Sequence, residues 1–233
     1  MRDILRWAVY CAPKMSSALA RFGADWLGWD AQAGRARDGL VIQGLPALRE
    51  EITAAPRKYG FHGTLKPPFV LAEGREPAEL DAELTTLVRD FEPFDLPLTP
   101  GALGDFLALV PSGPVPELDR LATACVTWLD GFRAPPSPSE IARRRPRLLT
   151  ARQRANLETW GYPYVLDDFR FHMTLSGPLP EAEREATARA LAPKLAEALA
   201  KPNRVEDICL FGEDLNGLFH LLKRFPLSAA RPD

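Results

Sequence analysis

The string Phe-His-x-Thr-Leu occurs twice, as Phe61-His62-Gly63-Thr64-Leu65 and Phe171-His172-Met173-Thr174-Leu175, and takes two of the chain's three histidines. An imidazole near its ordinary pKa takes or gives a proton at neutral pH, and a hydroxyl two residues away donates a hydrogen bond to an anionic oxygen. Written as β-strands, each motif puts its histidine and threonine on one face, with Phe61, Leu65, Phe171 and Leu175 on the other. Two such strands facing each other make a symmetric acid/base pair with a hydroxyl donor beside each member. The same parity brings Lys58, Lys66, Arg170 and Ser176 to the histidine face. A cation beside an imidazole disfavours its protonation unless an anion is bound, so the set is most coherent around a phosphate. Arg57, Tyr59, Tyr162 and Tyr164 lie just upstream, the tyrosines as rings to stack on a base or sugar or as half-buried packing.

The elements that must position these groups repeat as well. After His62 come Pro67-Pro68, then a helical pattern over 76–91 carried by Leu80, Leu84, Leu87, Val88 and Phe91, then strand-like runs over 94–98 and 103–110. After His172 the order returns: Gly177-Pro178, a helix over 180–199, and two runs, 205–212 and 218–225, around the hairpin signal Asn216-Gly217. Phe94 lies 32 positions after His62, and Arg204 lies 32 after His172. A strand, helix, strand, strand unit is therefore expected twice. Around it, residues 6–12 read as a strand, 16–28 as a helix capped at Ser16-Ser17, 115–129 as a joining helix, and Thr150 with Gln153 as a capping box opening a helix to Trp160.

Composition bounds the class. With 233 residues and 46% hydrophobic content the chain can bury a sizeable core, and a net charge of -2 gives no global field for nucleic acid or a membrane surface. No run approaches the ~18 apolar residues of a membrane span, and the N-terminus, broken by Asp3 and Arg6, does not read as a leader. Cys11, Cys125 and Cys209 are odd in number and lie in apolar segments, as buried reduced thiols do. The expected protein is soluble and cytoplasmic. Between Arg133 and Arg154 stand seven arginines (133, 143, 144, 145, 147, 152, 154) against Glu140, either a solvated connector or a grip for phosphate or RNA. His220 has no threonine two residues on and reads as structural. Neither motif supplies a Cys, Asp or second His at metal-ligand spacing, Asp167 and Asp168 being the nearest acids.

The paired motifs, one per half, resemble the 2H phosphoesterase superfamily, which includes bacterial RNA 2′-5′ ligase/cyclic phosphodiesterases and eukaryotic cyclic-nucleotide phosphodiesterases. More narrowly, Arg57-Lys58-Tyr59-Gly60-Phe61-His62-Gly63-Thr64-Leu65-Lys66-Pro67-Pro68-Phe69, and Trp160-Gly161-Tyr162-Pro163-Tyr164 leading to Phe169-Arg170-Phe171-His172-Met173-Thr174-Leu175, look like the branch associated with bacterial phosphonate-utilisation operons. The resemblance implies an α+β fold, one bilobal domain over 1–233 with two antiparallel sheets facing across a central cleft and helices outside. The first unit would span about 57–112, a linker helix and Arg/Pro-rich connector 113–150, and the second unit 160–227. It implies metal-independent hydrolysis of a small, cyclic phosphodiester with no cofactor, His62, Thr64, His172 and Thr174 being catalytic. Lys66, Arg170, Tyr59, Lys58, Ser176 and Tyr164 are then expected at the substrate, with RNA or a nucleotide as alternative partners and no membrane. A phosphate-ester or RNA-end binding protein without turnover, and an RNA 2′-5′ ligase-like transferase, are the competing readings. Which histidine is the acid stays open in so symmetric a sequence.

Overall fold

A computed structural model of the chain describes residues 3–136 and 149–228. Its strands are β1 (Arg6–Cys11), β2 (Trp29–Asp30), β3 (Arg35–Ala36), β4 (Gly63–Phe69), β5 (Phe94–Asp95), β6 (Leu98–Leu103), β7 (Phe106–Pro111), β8 (Met173–Thr174), β9 (Arg204–Val205), β10 (Asp207–Glu213) and β11 (Phe219–Pro226). The helices among the described residues are α1 (Ala18–Leu27), α2 (Arg49–Ile52), α3 (Ala54–Arg57), α4 (Pro77–Leu87), α5 (Pro116–Trp128), α6 (Ala151–Trp160) and α7 (Glu181–Ala198). None is long and apolar enough to cross a membrane.

Local chemistry sets the helix ends. Ser17 Oγ accepts from the Ala20 amide at 3.1 Å to start α1, and Gly28, at φ 75°, closes it in the left-handed region. The capping box read at Thr150 and Gln153 forms in both directions, at 3.2 and 3.1 Å, and opens α6. α4 begins on a Glu76–Glu79 box with Pro77 at its first position, where a missing N–H has no cost.

Seven strands form one antiparallel sheet in the order β11-β10-β1-β4-β8-β7-β6. The order β4, α4, β5, β6, β7 recurs as β8, α7, β9, β10, β11. The hairpins cross over: β6–β7 lies beside β8, while β10–β11 lies on the β4 side with β1 between. β5 and β9 pair with each other, Phe94 with Val205 and Asp95 with Arg204. Where the sequence predicts two sheets facing across a cleft, the structure has the motif strands edge to edge in one sheet, through the register pair Gly63↔Met173. A period of two says which face a side chain takes and nothing about which edge a strand offers.

One face of the sheet carries the main core, where Val9, Leu65, Leu107, Leu109, Met173, Leu175 and Leu210 pack against Trp26 of α1, Leu80 and Leu84 of α4, Leu121 of α5 and Leu191 and Leu195 of α7. A smaller aromatic cluster, Tyr10, Trp29, Phe211 and Phe219, with Ala8, Ala12 and Cys209, lies on the other face. Cys11, Cys125 and Cys209 are buried free thiols.

Candidate active site

From the pair Gly63↔Met173, antiparallel alternation sets His62 opposite Thr174 and Thr64 opposite His172, with opposed Cβ atoms about 4.5–5.5 Å apart. Each histidine thus faces the other motif's threonine. The histidines lie one residue ahead of their strands, which begin at Gly63 and Met173. Phe61, Leu65, Phe171 and Leu175 all enter the main core, as the alternation requires. The variable position of the first motif has no room for a side chain, since a Cβ on Gly63 would sit 2.2 Å from the Phe171 ring. The second motif's phenylalanine therefore packs on the first motif's glycine.

Both imidazoles are aimed by the same device. His62 Nδ1 lies 2.9 Å from the Gly60 carbonyl and His172 Nδ1 lies 2.7 Å from the Arg170 carbonyl, each two residues back. A carbonyl only accepts, so Nδ1 carries the proton in each ring and Nε2 presents its lone pair. Thr64 Oγ1, 3.3 Å from His62 Nε2, donates to it. Gly60 adopts φ 73°, and a Cβ there would meet Ala31 Cβ at 2.6 Å, so the residue that aims His62 is held to glycine by conformation and by space.

Their surroundings differ. The His62 ring lies flat against Tyr10, centroids 3.7 Å apart and planes at 22°, whereas His172 has Phe106 at 5.6 Å and 55°. Burial lowers the His62 pKa to about 4, against the Gly60 carbonyl, which favours the proton, and with the nearby His172 charge disfavouring it further. Burial lowers His172 too, opposed by the Arg170 carbonyl. Beside them is a cavity of about 250 Å³ walled by Ala55, Pro56, Tyr59, Gly60, His62, Phe106, Thr174, Ser176, Gly177 and Pro178. His62 and Thr174 reach its wall, with Thr64 and His172 next to them in the register.

The residues expected at the substrate scatter. Lys66 is on the wrong face. Thr64 pairs with Tyr10 of β1, but Lys66 pairs with Val9, so an extra residue on β4 inverts the parity after Thr64. Lys66 turns into the helix side at 2% exposure, donates to the Val126 carbonyl at 3.0 Å and lies 3.7 Å from Asp130. Burial draws its pKa down to about 8, partly offset by Asp130. Arg170 is exposed, and its carbonyl, not its guanidinium, contacts His172. Tyr59 lines the cavity with its ring 6.1 Å from His62, and the exposed Lys58 holds Nζ 4.9 Å over that ring. Ser176 lines it as well, but its hydroxyl is committed, accepting from the Leu107 amide and donating to the Gly177 carbonyl at 2.9 and 2.8 Å. Tyr164 stands outside the wall, 44% exposed, against Tyr162.

Tyr10 and Phe106 are the members that motif reading missed. Both sit in segments read as strands, yet only the fold says which strand comes to lie beside the histidines. Asp168 is taken up by Arg152 at 2.6 Å, Gln153 and Asn156, and among the described residues no three His, Cys, Asp or Glu side chains gather as a metal site. Arg143, Arg144, Arg145 and Arg147 lie outside the described residues. Arg133, Arg152 and Arg154 bond locally, to Asp130, Asp168 and the Leu149 carbonyl. His220 is buried, with Nε2 2.9 Å from Asp214.

Residues 64–220 match the profile of a family described as a protein of unknown function, DUF1045, and the chain belongs to that family. It is 37% identical over 239 residues to a ribose 1,5-bisphosphate phosphokinase PhnN of Janthinobacterium sp. (strain Marseille), covering 97% of this chain and 51% of that protein. A second protein of that name, from Laribacter hongkongensis (strain HLHK9), is 37% identical over 209 residues, with 90% and 48% covered. The chain spans about half the length of these curated relatives. Among solved structures, a phosphoesterase and E. coli LigT complexed with 3'-AMP each give 15% identity and a TM-score of 0.43, over 97% of this chain and 99% of theirs. A likeness of that size carries no argument about chemistry.

Proposed function

We propose that the chain is a phosphoesterase that needs no metal and opens a small, cyclic phosphodiester with His62 and His172 as its proton-transfer pair. The observation that carries this reading is the shared aim of the two imidazoles, each with Nδ1 on the carbonyl two residues back so that Nε2 is its remaining ring nitrogen, that of His62 accepting from Thr64, beside one cavity. His62, half-buried under Tyr10 and neutral, is the base: its Nε2 takes a proton from water as the water oxygen bonds to phosphorus. His172 is the acid. A bound phosphate anion raises its pKa from the value that burial alone gives, and its Nε2 proton goes to the alkoxide as the P–O bond breaks. On binding the ester the Thr64 hydroxyl turns from His62 Nε2, freeing that nitrogen, and Thr64 and Thr174 donate to the non-bridging oxygens. Exchange with solvent then resets both rings. The recurrence of strand, helix, strand and hairpin over 57–112 and 160–227 supports a duplicated unit, each half giving one histidine and one threonine.

The organic part of the ester lies against the Tyr59 wall, with Lys58 at the ring for a further anionic group. Both relatives are named for ribose 1,5-bisphosphate, and this sequence contains no G-x-x-x-x-G-K-[ST] loop to cradle nucleotide phosphates. We therefore assign the kinase activity to the part of those proteins beyond the match. On this reading the matched part acts on an ester of related sugar-phosphate chemistry. Purified protein is to be screened in chelator against cyclic and linear phosphoesters, ribosyl cyclic phosphates included, with phosphorus NMR detection. Turnover of a cyclic ester is expected, falling on the order of 10²–10⁴ in His62→Ala or His172→Ala, and by less than the product in the double variant. Phosphoesters bound equally by wild type and both variants, with none of the panel turned over, would make the chain a binding module.

A further inference from the structure

Tyr10 has no place in the motifs, yet its ring lies flat against a motif histidine. It sits on β1 at 1% exposure, in register with Thr64, and its ring covers one face of the His62 imidazole at 3.7 Å. Behind it stand Phe211 at 4.9 Å and Phe219 at 6.2 Å, and Tyr59 packs on Phe219 at 4.9 Å. The His62 imidazole is thus the outermost layer of an aromatic stack rooted in the second core cluster. His172 has the Phe106 ring tilted near it at 5.6 Å.

We propose that Tyr10 is the positioning residue for His62: its ring keeps the imidazole from tilting about the axis set by its hydrogen bonds to Gly60 and Thr64 and closes one face to water, so that His62 is held neutral. The role of that neutral ring as base rests on the phosphoesterase reading, but the positioning does not. The bonds of Nδ1 to Gly60 and of Thr64 to Nε2 fix two edges of the ring and leave its tilt about the line joining them free, and a flat partner at van der Waals distance removes that freedom. Two influences oppose each other. An aromatic face attracts a cation, which favours imidazolium, while lost hydration disfavours it. Hydration dominates here, in keeping with the direction in which burial moves His62. The phenol itself stays neutral, burial raising its pKa well above the ordinary value. The other titratable groups around the stack are His172 just ahead of β8, Tyr59 after α3, Tyr162 after α6, and the Arg6–Glu213 ion pair joining β1 to β10.

The test follows the three histidine Cε1–H resonances by NMR between about pH 5 and pH 9 in wild type, Tyr10→Phe, Tyr10→Leu and Tyr10→Met, each checked for folding. The resonances are assigned by His62→Gln, His172→Gln and His220→Gln. Wild type and Tyr10→Phe are expected to hold His62 neutral across the window. Tyr10→Leu is expected to bring an inflection for His62 into it, a rise of at least one unit, with His172 unmoved. If Tyr10→Leu does not fold, Tyr10→Met carries the same expectation. A folded Leu or Met variant in which His62 titrates as in wild type overturns the proposal, as does an equal shift of both histidines, which would report general loosening. Once an ester is in hand, the acidic limb of its kcat/KM profile should move to higher pH in Tyr10→Leu and not in Tyr10→Phe. Because the NMR result needs no substrate, absence of turnover would sink the enzyme reading and leave this one standing.

Discussion

His62 and His172 share a preceding phenylalanine, a threonine two residues on and an anchor on the carbonyl two residues back, and the fold packs different rings on them. That difference has a consequence for stability. Burial lowers the folded pKa of His62 to about 4, below the ordinary 6.5, so over that interval the unfolded chain binds a proton that the folded chain refuses. The stability tied to a neutral His62 is fully present above pH 6.5 and is lost as pH falls toward 4. Each unit of depression corresponds to about 1.4 kcal/mol. Urea midpoints measured against pH are expected to decline through this window in wild type, and His62→Gln should flatten the decline. An equal decline in both would mean that the ring is not held neutral. None of this was legible in the motifs. They named the four polar groups, and the face shared by each pair, because strand alternation is a local rule. They could not tell one imidazole from the other, because the ring that distinguishes them arrives from β1.

At the scale of the element, β4 marks where local rules stop. Parity from His62 to Leu65 holds, and then one extra residue against β1 sends Lys66 to the helix side. A bulge of this kind leaves no mark in the alternation of polar and apolar residues, least of all before Pro67-Pro68, which cannot donate to the ladder. Lys66 in its buried seat has a folded pKa of about 8 against 10.5 for the free side chain, so stability should rise as pH increases through that interval. Lys66→Met should abolish that rise while leaving phosphate affinity within about twofold, since replacing a buried charge by an apolar side chain of similar volume is often neutral or stabilising. A large loss of phosphate affinity would return Lys66 to the site. The glycine within the first motif is the opposite case, a residue whose type looks incidental and is not. Gly63→Ala drives a methyl into the Phe171 ring across the β4–β8 pair, and is expected to cost about 1–3 kcal/mol, with a parallel loss of turnover. A denaturation curve unchanged from wild type would show that Phe171 can move aside.

At the scale of the molecule, the recurring order of elements was readable because helices and hairpins announce themselves by period and turn residues. The way the halves join was not, because strand order depends on contacts between residues far apart in sequence. The join is what makes a site: β4 and β8 meet at one register pair, and that pair sets each histidine opposite the other half's threonine. A phosphate held between Thr64 and Thr174 would therefore bridge the two runs of elements at a place where few backbone bonds do. Ligand binding to the folded state alone stabilises it by mass action, about 2.7 kcal/mol at one hundred times Kd. Inorganic phosphate or sulfate is accordingly expected to raise the melting temperature and to slow hydrogen exchange most at the amides of β4 and β8. Thr64→Val and Thr174→Val should each weaken the anion roughly tenfold, a loss of about 1.4 kcal/mol, as removal of one hydrogen bond to a charged group does. Protection confined to some other element, or an affinity indifferent to both substitutions, would mean that the anion sits elsewhere and that the junction of the motif strands is not where this protein holds its ester.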